Sequence, residues 1–124
     1  MNLTRATASA VLLARVSYGV ALMVAPRRLA LRWLGEDANR APLQIALRGL
    51  GARETVLHGA AVVALRREAP LRPWLAASVV GDLVDVIATA AERRRLPAGS
   101  PLATLAVGGG SALISVLLAV FVER

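Results

Sequence analysis

PLATLAVGGGSALISVLLAVFV, residues 101–122, runs for 22 residues without one charged side chain. A helix needs about 20 mostly apolar residues to cross a bilayer, and this segment meets that requirement. A surface helix of a water-soluble bundle carries a polar stripe toward solvent, and none is present here. Thr104, Gly108, Ser111, Ser115 and Ala119 fall on one helical face, giving a small-residue track against which a neighbouring backbone can pack closely. Gly108-Gly109-Gly110-Ser111 lacks the lysine and the preceding strand of a phosphate loop. It reads as a site of close packing or kinking.

Working outward, the segment before it, about 73–91, has one polar stripe: Trp74, Ser78, Asp82, Asp85, Thr89 and Glu92. The spacings of three and four residues define a single face. Lipid rejects such a stripe, so it is expected to face the bundle interior, with Trp74 as an interfacial anchor. Segment one, about 7–25, ends at Pro26 and carries Arg15 with Tyr18 three residues on, hence adjacent. Arg15 and the weak exit sequence Met23-Val24-Ala25-Pro26 argue for a retained helix rather than a cleaved signal peptide. Residues 27–34 mix Leu31, Trp33 and Leu34 with Arg27, Arg28 and Arg32, as an interfacial helix would. Residues 35–40 read as an aqueous loop.

Segment two, about 42–65, is the difficult one. It carries Arg48, Arg53, Glu54 and His58. Each central charge costs roughly 2.5–3.5 kcal/mol on insertion scales, so this helix must be shielded by the other three. Gly51, Thr55 and Gly59 give it its own small-residue track. The expected architecture is all-α: one integral membrane domain over residues 1–124, a four-helix transmembrane bundle with a short interfacial helix between spans one and two. A soluble helical bundle is disfavoured because segments one and four have no polar face.

Composition agrees. The chain is 56% hydrophobic and 19% charged, against about 45–50% and about 25% for soluble domains. All 15 basic residues are arginine, clustered between apolar runs. That is the pattern of flanks meeting anionic headgroups, and nucleic acid is not an expected partner. Loops one and three hold Arg27, Arg28, Arg32, Arg40, Arg93, Arg94 and Arg95; the other side holds Arg5, Arg66, Arg67, Arg72 and Arg124. The excess leans toward loops one and three being cytoplasmic. With no cysteine, thiolate catalysis, disulfides and cysteine-type metal sites are excluded. One histidine excludes multi-histidine metal sites. Glu54, His58, Asp82 and Asp85 are the ligand types of an iron or manganese site, but without a duplicated motif no metal or other cofactor is expected.

Within the spans, Arg15, Arg48 and Arg53 balance Glu54, Asp82 and Asp85. Balanced pairing is expected because unpaired charge in hydrocarbon is costly. These residues, with Tyr18, His58 and Ser78, suggest a polar chamber. Two carboxylates one turn apart do not both ionise in low dielectric unless arginine compensates. The expected roles are Asp82 and Asp85 as acid and base, Glu54 and His58 orienting them, and Arg15 and Arg48 holding an oxygen or compensating charge. Arg53 either joins them or reaches the headgroups. Such equipment suits metal-free epoxide opening, isomerisation or cyclisation of a hydrophobic lipid- or isoprenoid-like molecule. It equally suits structural pairing in a non-catalytic subunit of a membrane complex, or a proton or ion path.

The motif Arg48-x-x-Gly51-x-Arg53-Glu54-x-x-x-x-Gly59, following a first helix with Arg15 that ends at Pro26, resembles the small four-helix membrane proteins grouped as DoxX-like. An Asp-bearing third helix is common among them, and Asp82 and Asp85 fit that place. The resemblance implies the fold and a membrane location, here expected to be a bacterial cytoplasmic membrane. Expected partners are membrane lipids, a hydrophobic small molecule, and a homo-oligomer or larger membrane complex.

Overall fold

Proline opens four of the helices. It occupies the first turn of each, where its missing N–H has no helical partner to lose. The computed structural model describes residues 3–122, so Arg124 lies outside the described residues. Its helices are α1 (Leu3–Val24), α2 (Pro26–Leu34), α3 (Ala41–Arg66), α4 (Arg72–Ala91) and α5 (Ser100–Phe121). Among the described residues the fold is all-helical, with no strand.

The four long helices run alternately up and down. Arg15 meets Glu54, His58 meets Ser78, and Arg72 bonds the carbonyl of Ala119. The tightest contact joins α1 to α3. A Cβ placed on Gly51 would lie 2.5 Å from the Gly19 carbonyl, and one on Gly19 would lie 2.6 Å from Thr55 Oγ1. Only glycine permits that approach. Gly59, the third member of the expected track, has no neighbour within 4 Å and does not take part.

α1, α4 and α5 are long and apolar enough to cross a membrane. Their outward faces expose Leu13, Val80, Val84, Ile87, Leu102, Leu113 and similar side chains, a surface suited to lipid rather than water. α3 is longer still, but its charges set it apart. Arg66 lies 18 residues after Arg48, roughly 27 Å along the helix at 1.5 Å per residue, close to the ~30 Å thickness of hydrocarbon.

The two halves of the bundle differ. Away from α2, Ala8, Leu12, Ala61, Leu65, Leu71, Leu75 and Leu118 form a closed apolar core. On the α2 side, Ala30, Ala38 and Leu47 make only a small cluster beneath α2, with Trp33 against it.

Three boundaries depart from the expectations. α1 begins at Leu3 and includes Arg5, which donates to the carbonyl of buried Leu65 in the last turn of α3. Residues 35–40 are not an open loop: Gly35–Asn39 form a 3-10 helix. Gly35 closes α2 at φ 61°, donating to the Leu31 carbonyl, and Ala38 is then fully buried. In α5 the glycine run sits at a π-helical turn, Leu105–Gly109. A π-bulge inside a helix shifts the register of the side chains that follow it, and here it falls where Gly108 meets α4.

Candidate functional site

The site is built around Arg15. Its guanidinium donates to Glu54 Oε2 at 3.2 and 3.0 Å, and to Asp82 Oδ2 and Oδ1 at 2.8 and 2.6 Å. One cation on α1 thus joins carboxylates from α3 and α4. The Asp82 contact is bidentate, the strongest arginine–carboxylate geometry. Both carboxylates are buried; Glu54 is 4% and Asp82 4% exposed. Counting along the helices, Arg15 and Asp82 each lie ten residues from a flanking arginine, while Glu54 lies twelve from Arg66 and six from Arg48. That places Arg15 and Asp82 roughly 15 Å from the charged rim, near the middle of the bundle, and Glu54 roughly 9 Å from the level of Arg48.

A second pair lies at the edge. Arg53 Nη2 reaches Glu54 Oε1 at 3.3 Å and Asp85 Oδ2 at 3.4 Å. Its guanidinium passes over Gly81, where an added Cβ would sit 3.3 Å from Cζ. Both partners are partly open, Arg53 at 41% and Asp85 at 34% side-chain exposure. Asp82 and Asp85, though one turn apart, therefore belong to different arginines.

His58 lies beneath this layer. Its Nδ1 is 2.8 Å from the Glu54 carbonyl and its Nε2 3.0 Å from Ser78 Oγ. Nδ1 also lies 3.3 Å from Glu54 Oε2. His58 and Ser78 are sealed in the interior at 1% and 3% exposure. They brace Glu54 from behind rather than face the open space.

Arg48 stands apart from the expected group. It is exposed and donates to the Met23 carbonyl at 3.1 Å, satisfying the end of α1. The reason is depth: Arg48 is two turns nearer the α2 side than Glu54, where headgroups or a helix end can take its charge. Its departure changes the balance. Arg15 and Arg53 supply two positive charges, while Glu54, Asp82 and Asp85 supply three negative ones. Counted as formal charges, with His58 taken as neutral, the cluster is one negative charge in excess rather than balanced.

Arg15, Tyr18, Glu54, Asp82 and Asp85 form one end of a chamber of about 400 Å³. Its other walls are Leu29 and Trp33 of α2, Leu50 of α3, and Ala103, Thr104, Val107, Gly108 and Ser111 of α5. The volume is that of a small-molecule site, mostly apolar with a few convergent polar groups. In this half α1 and α5 do not close on each other, and exposed Ala14, Tyr18, Ala103 and Val107 frame the gap.

Two participants were not anticipated. Trp33 Nε1 and Thr104 Oγ1 are buried without a hydrogen-bond partner in the protein, and both residues line the chamber. In the sequence Trp33 reads as an apolar member of the interfacial helix and Thr104 as a packing residue. Only the fold of α2 back under α5, tied by Ser100 Oγ donating to the Trp33 carbonyl, brings them together. Among the described residues, no group of three or more His, Asp or Glu side chains is placed to hold a metal ion; guanidinium groups occupy the carboxylates instead. The chain matches no protein-family model, no curated protein and no solved structure.

Proposed function

We propose that this chain is a four-span integral membrane protein whose chamber binds a hydrophobic small molecule from the bilayer. The carrying observation is the mismatch between the two halves. One half closes an apolar core, its remaining hollow of about 230 Å³ confined to the polar turn at its outer end beside Arg5, Glu68 and Pro70, while the other leaves about 400 Å³ open at the buried cluster of charges. A bundle needing its charges only as glue would close around them, because unfilled space forfeits packing energy. The gap between α1 and α5 gives a lateral route from lipid. In this reading α3 is the fourth span. Arg15 and Arg53 shield its Glu54, and Arg48 and Arg66 mark its two interfaces.

If the bound molecule is transformed, Asp85 is the group placed to exchange a proton with it. Asp82 is held bidentately and Glu54 on two sides, whereas Asp85 has one long contact and faces the chamber. Epoxide opening, isomerisation and cyclisation remain the chemistries that such a group suits. The second reading is an accessory subunit of a membrane complex, with the charges fixing helix register. It draws on the complete pairing of Arg15 and on the satisfied ring of His58. Membership of the DoxX-like grouping and a bacterial cytoplasmic membrane location belong to the proposal.

Native mass spectrometry of the protein taken from its own membranes tests the proposal, comparing wild type with Ala103→Phe. Ala103 is an exposed wall residue that takes part in none of the charge pairs, so phenylalanine fills space while leaving their side chains in place. A discrete hydrophobic adduct on wild type that is lost in the variant supports a ligand chamber. Bulk phospholipid alone on both, or a protein partner, supports the accessory subunit.

A further inference from the structure

We infer that the chamber's ligand is an amphiphilic amine: a cationic nitrogen at the Asp85 end, an oxygen acceptor toward α2, and an apolar body between them. The inference rests on the chamber reading above and names its ligand class.

Charge sets the sign. Arg15 on α1 and Arg53 on α3 face Glu54 on α3 and Asp82 and Asp85 on α4, while α2 and α5 contribute no charged group to the chamber wall. Two arginines are shared among three carboxylates, and Asp85 is the least enclosed of the three, held at 3.4 Å by a partly exposed Arg53 that Glu54 also claims. A monocation restores neutrality. A carboxylate or phosphate would double the imbalance in a medium that penalises each unpaired charge. Aromatic placement agrees. Tyr18, one turn from Arg15, lines this space with Asp85, and ring faces favour organic cations.

The oxygen follows from the unpartnered donors. Thr104 is 8% exposed, and its hydroxyl, like the Trp33 indole N–H, has no partner in the protein. A buried donor left unmatched costs about 1–3 kcal/mol, which an acceptor on the ligand would recover. Gly108 lies against the Asp82 carbonyl, with 3.4 Å to an added Cβ. Thr104 is one turn along α5 toward α2, roughly 6 Å away. The acceptor therefore sits about one helical turn toward α2 from the Asp82 level of α4, with a carbon framework between it and the nitrogen.

The test uses a matched pair of probes on the full chain in nanodiscs. One is 4-(dimethylaminomethyl)benzophenone, an amine bearing a carbonyl. The other is 4-isobutylbenzophenone, the same shape with carbon in place of nitrogen. Saturable photocrosslinking, mapped by mass spectrometry, reports occupancy. The expected result is half-saturation by the amine at about tenfold lower concentration than by the isostere, with adducts on Trp33 or α5. Asp85→Asn, verified as folded by its melting curve, should remove that preference while leaving the isostere's curve in place. Equal curves for the two probes on wild type, or a preference for the isostere, would overturn the amine while leaving the chamber intact. Saturable labelling by neither probe would overturn both.

Discussion

Replacing Arg15 by methionine probes the centre of this fold. Its side chain is 15% exposed and makes four hydrogen bonds to carboxylates whose side chains are 5% and 6% exposed. Removing one partner of a buried ion pair costs about 3–5 kcal/mol, because the other is left uncompensated. Here two carboxylates lose their cation at once, and the cluster moves from one excess negative charge to two. Methionine keeps most of the stem packing, so electrostatics dominates. Adding Asp82→Asn to Arg15→Met returns the cluster to its original charge and leaves Glu54 with Arg53 and His58. The double variant should therefore be more stable than Arg15→Met alone, with a coupling of roughly 2 kcal/mol between the two sites. Denaturant unfolding in mixed micelles, followed by circular dichroism, gives the three differences. If Arg15→Met falls within about 1 kcal/mol of wild type, the pair behaves like a solvated surface bridge, and the buried-cluster reasoning is refuted. Strict additivity of the two substitutions refutes it as well.

Gly19→Ala and Gly51→Ala should each destabilise by about 1–3 kcal/mol, since the new methyl groups meet backbone and Thr55 within 2.5–2.8 Å. Gly59→Ala, with open space around it, should be neutral or stabilise by up to about 1 kcal/mol; melting curves of the three variants decide. Arg48→Ala should shift stability by no more than about 0.5 kcal/mol and leave any chamber adduct in native mass spectra unchanged, because Arg48 touches only the end of α1. Loss of the adduct would return Arg48 to the site. Glu68, at φ 56°, closes α3 with its own N–H to Leu65 and that of Ala69 to Ala64. Glu68→Gly should therefore raise the unfolding midpoint by the equivalent of about 1 kcal/mol. A lower midpoint would mean that the glutamate side chain matters more than its backbone.

Much of the helical framework was legible because proline and charge punctuate it. Pro26, Pro42, Pro73 and Pro101 mark helix starts, and arginine clusters mark the turns. The inward faces of α3 and α4 were legible for the same reason that lipid excludes charge: Gly51, Glu54 and His58, and Ser78, Asp82 and Thr89, are all buried. Partner choice was not. Period alone cannot say which arginine meets which carboxylate, and the balance of three against three gave no sign that Arg48 lies too near the helix end to join. Gly19, the closest approach in the bundle, stands alone in α1 without a repeating small-residue track. The chamber itself depends on where α2 folds relative to α5. That is a long-range contact, between Trp33 and Ser100, which no local pattern encodes.

The central claim is that α3, with Arg48, Arg53, Glu54 and His58 along it, crosses the bilayer under the protection of its neighbours. The chain has no cysteine, so single cysteines report cleanly. Asn39→Cys and Arg67→Cys replace exposed residues just outside the two ends of α3. In membrane vesicles of known orientation, a membrane-impermeant maleimide should label one of them from outside and the other only after the vesicles are opened. Labelling of both positions from the same face would place α3 on the membrane surface and contradict the account.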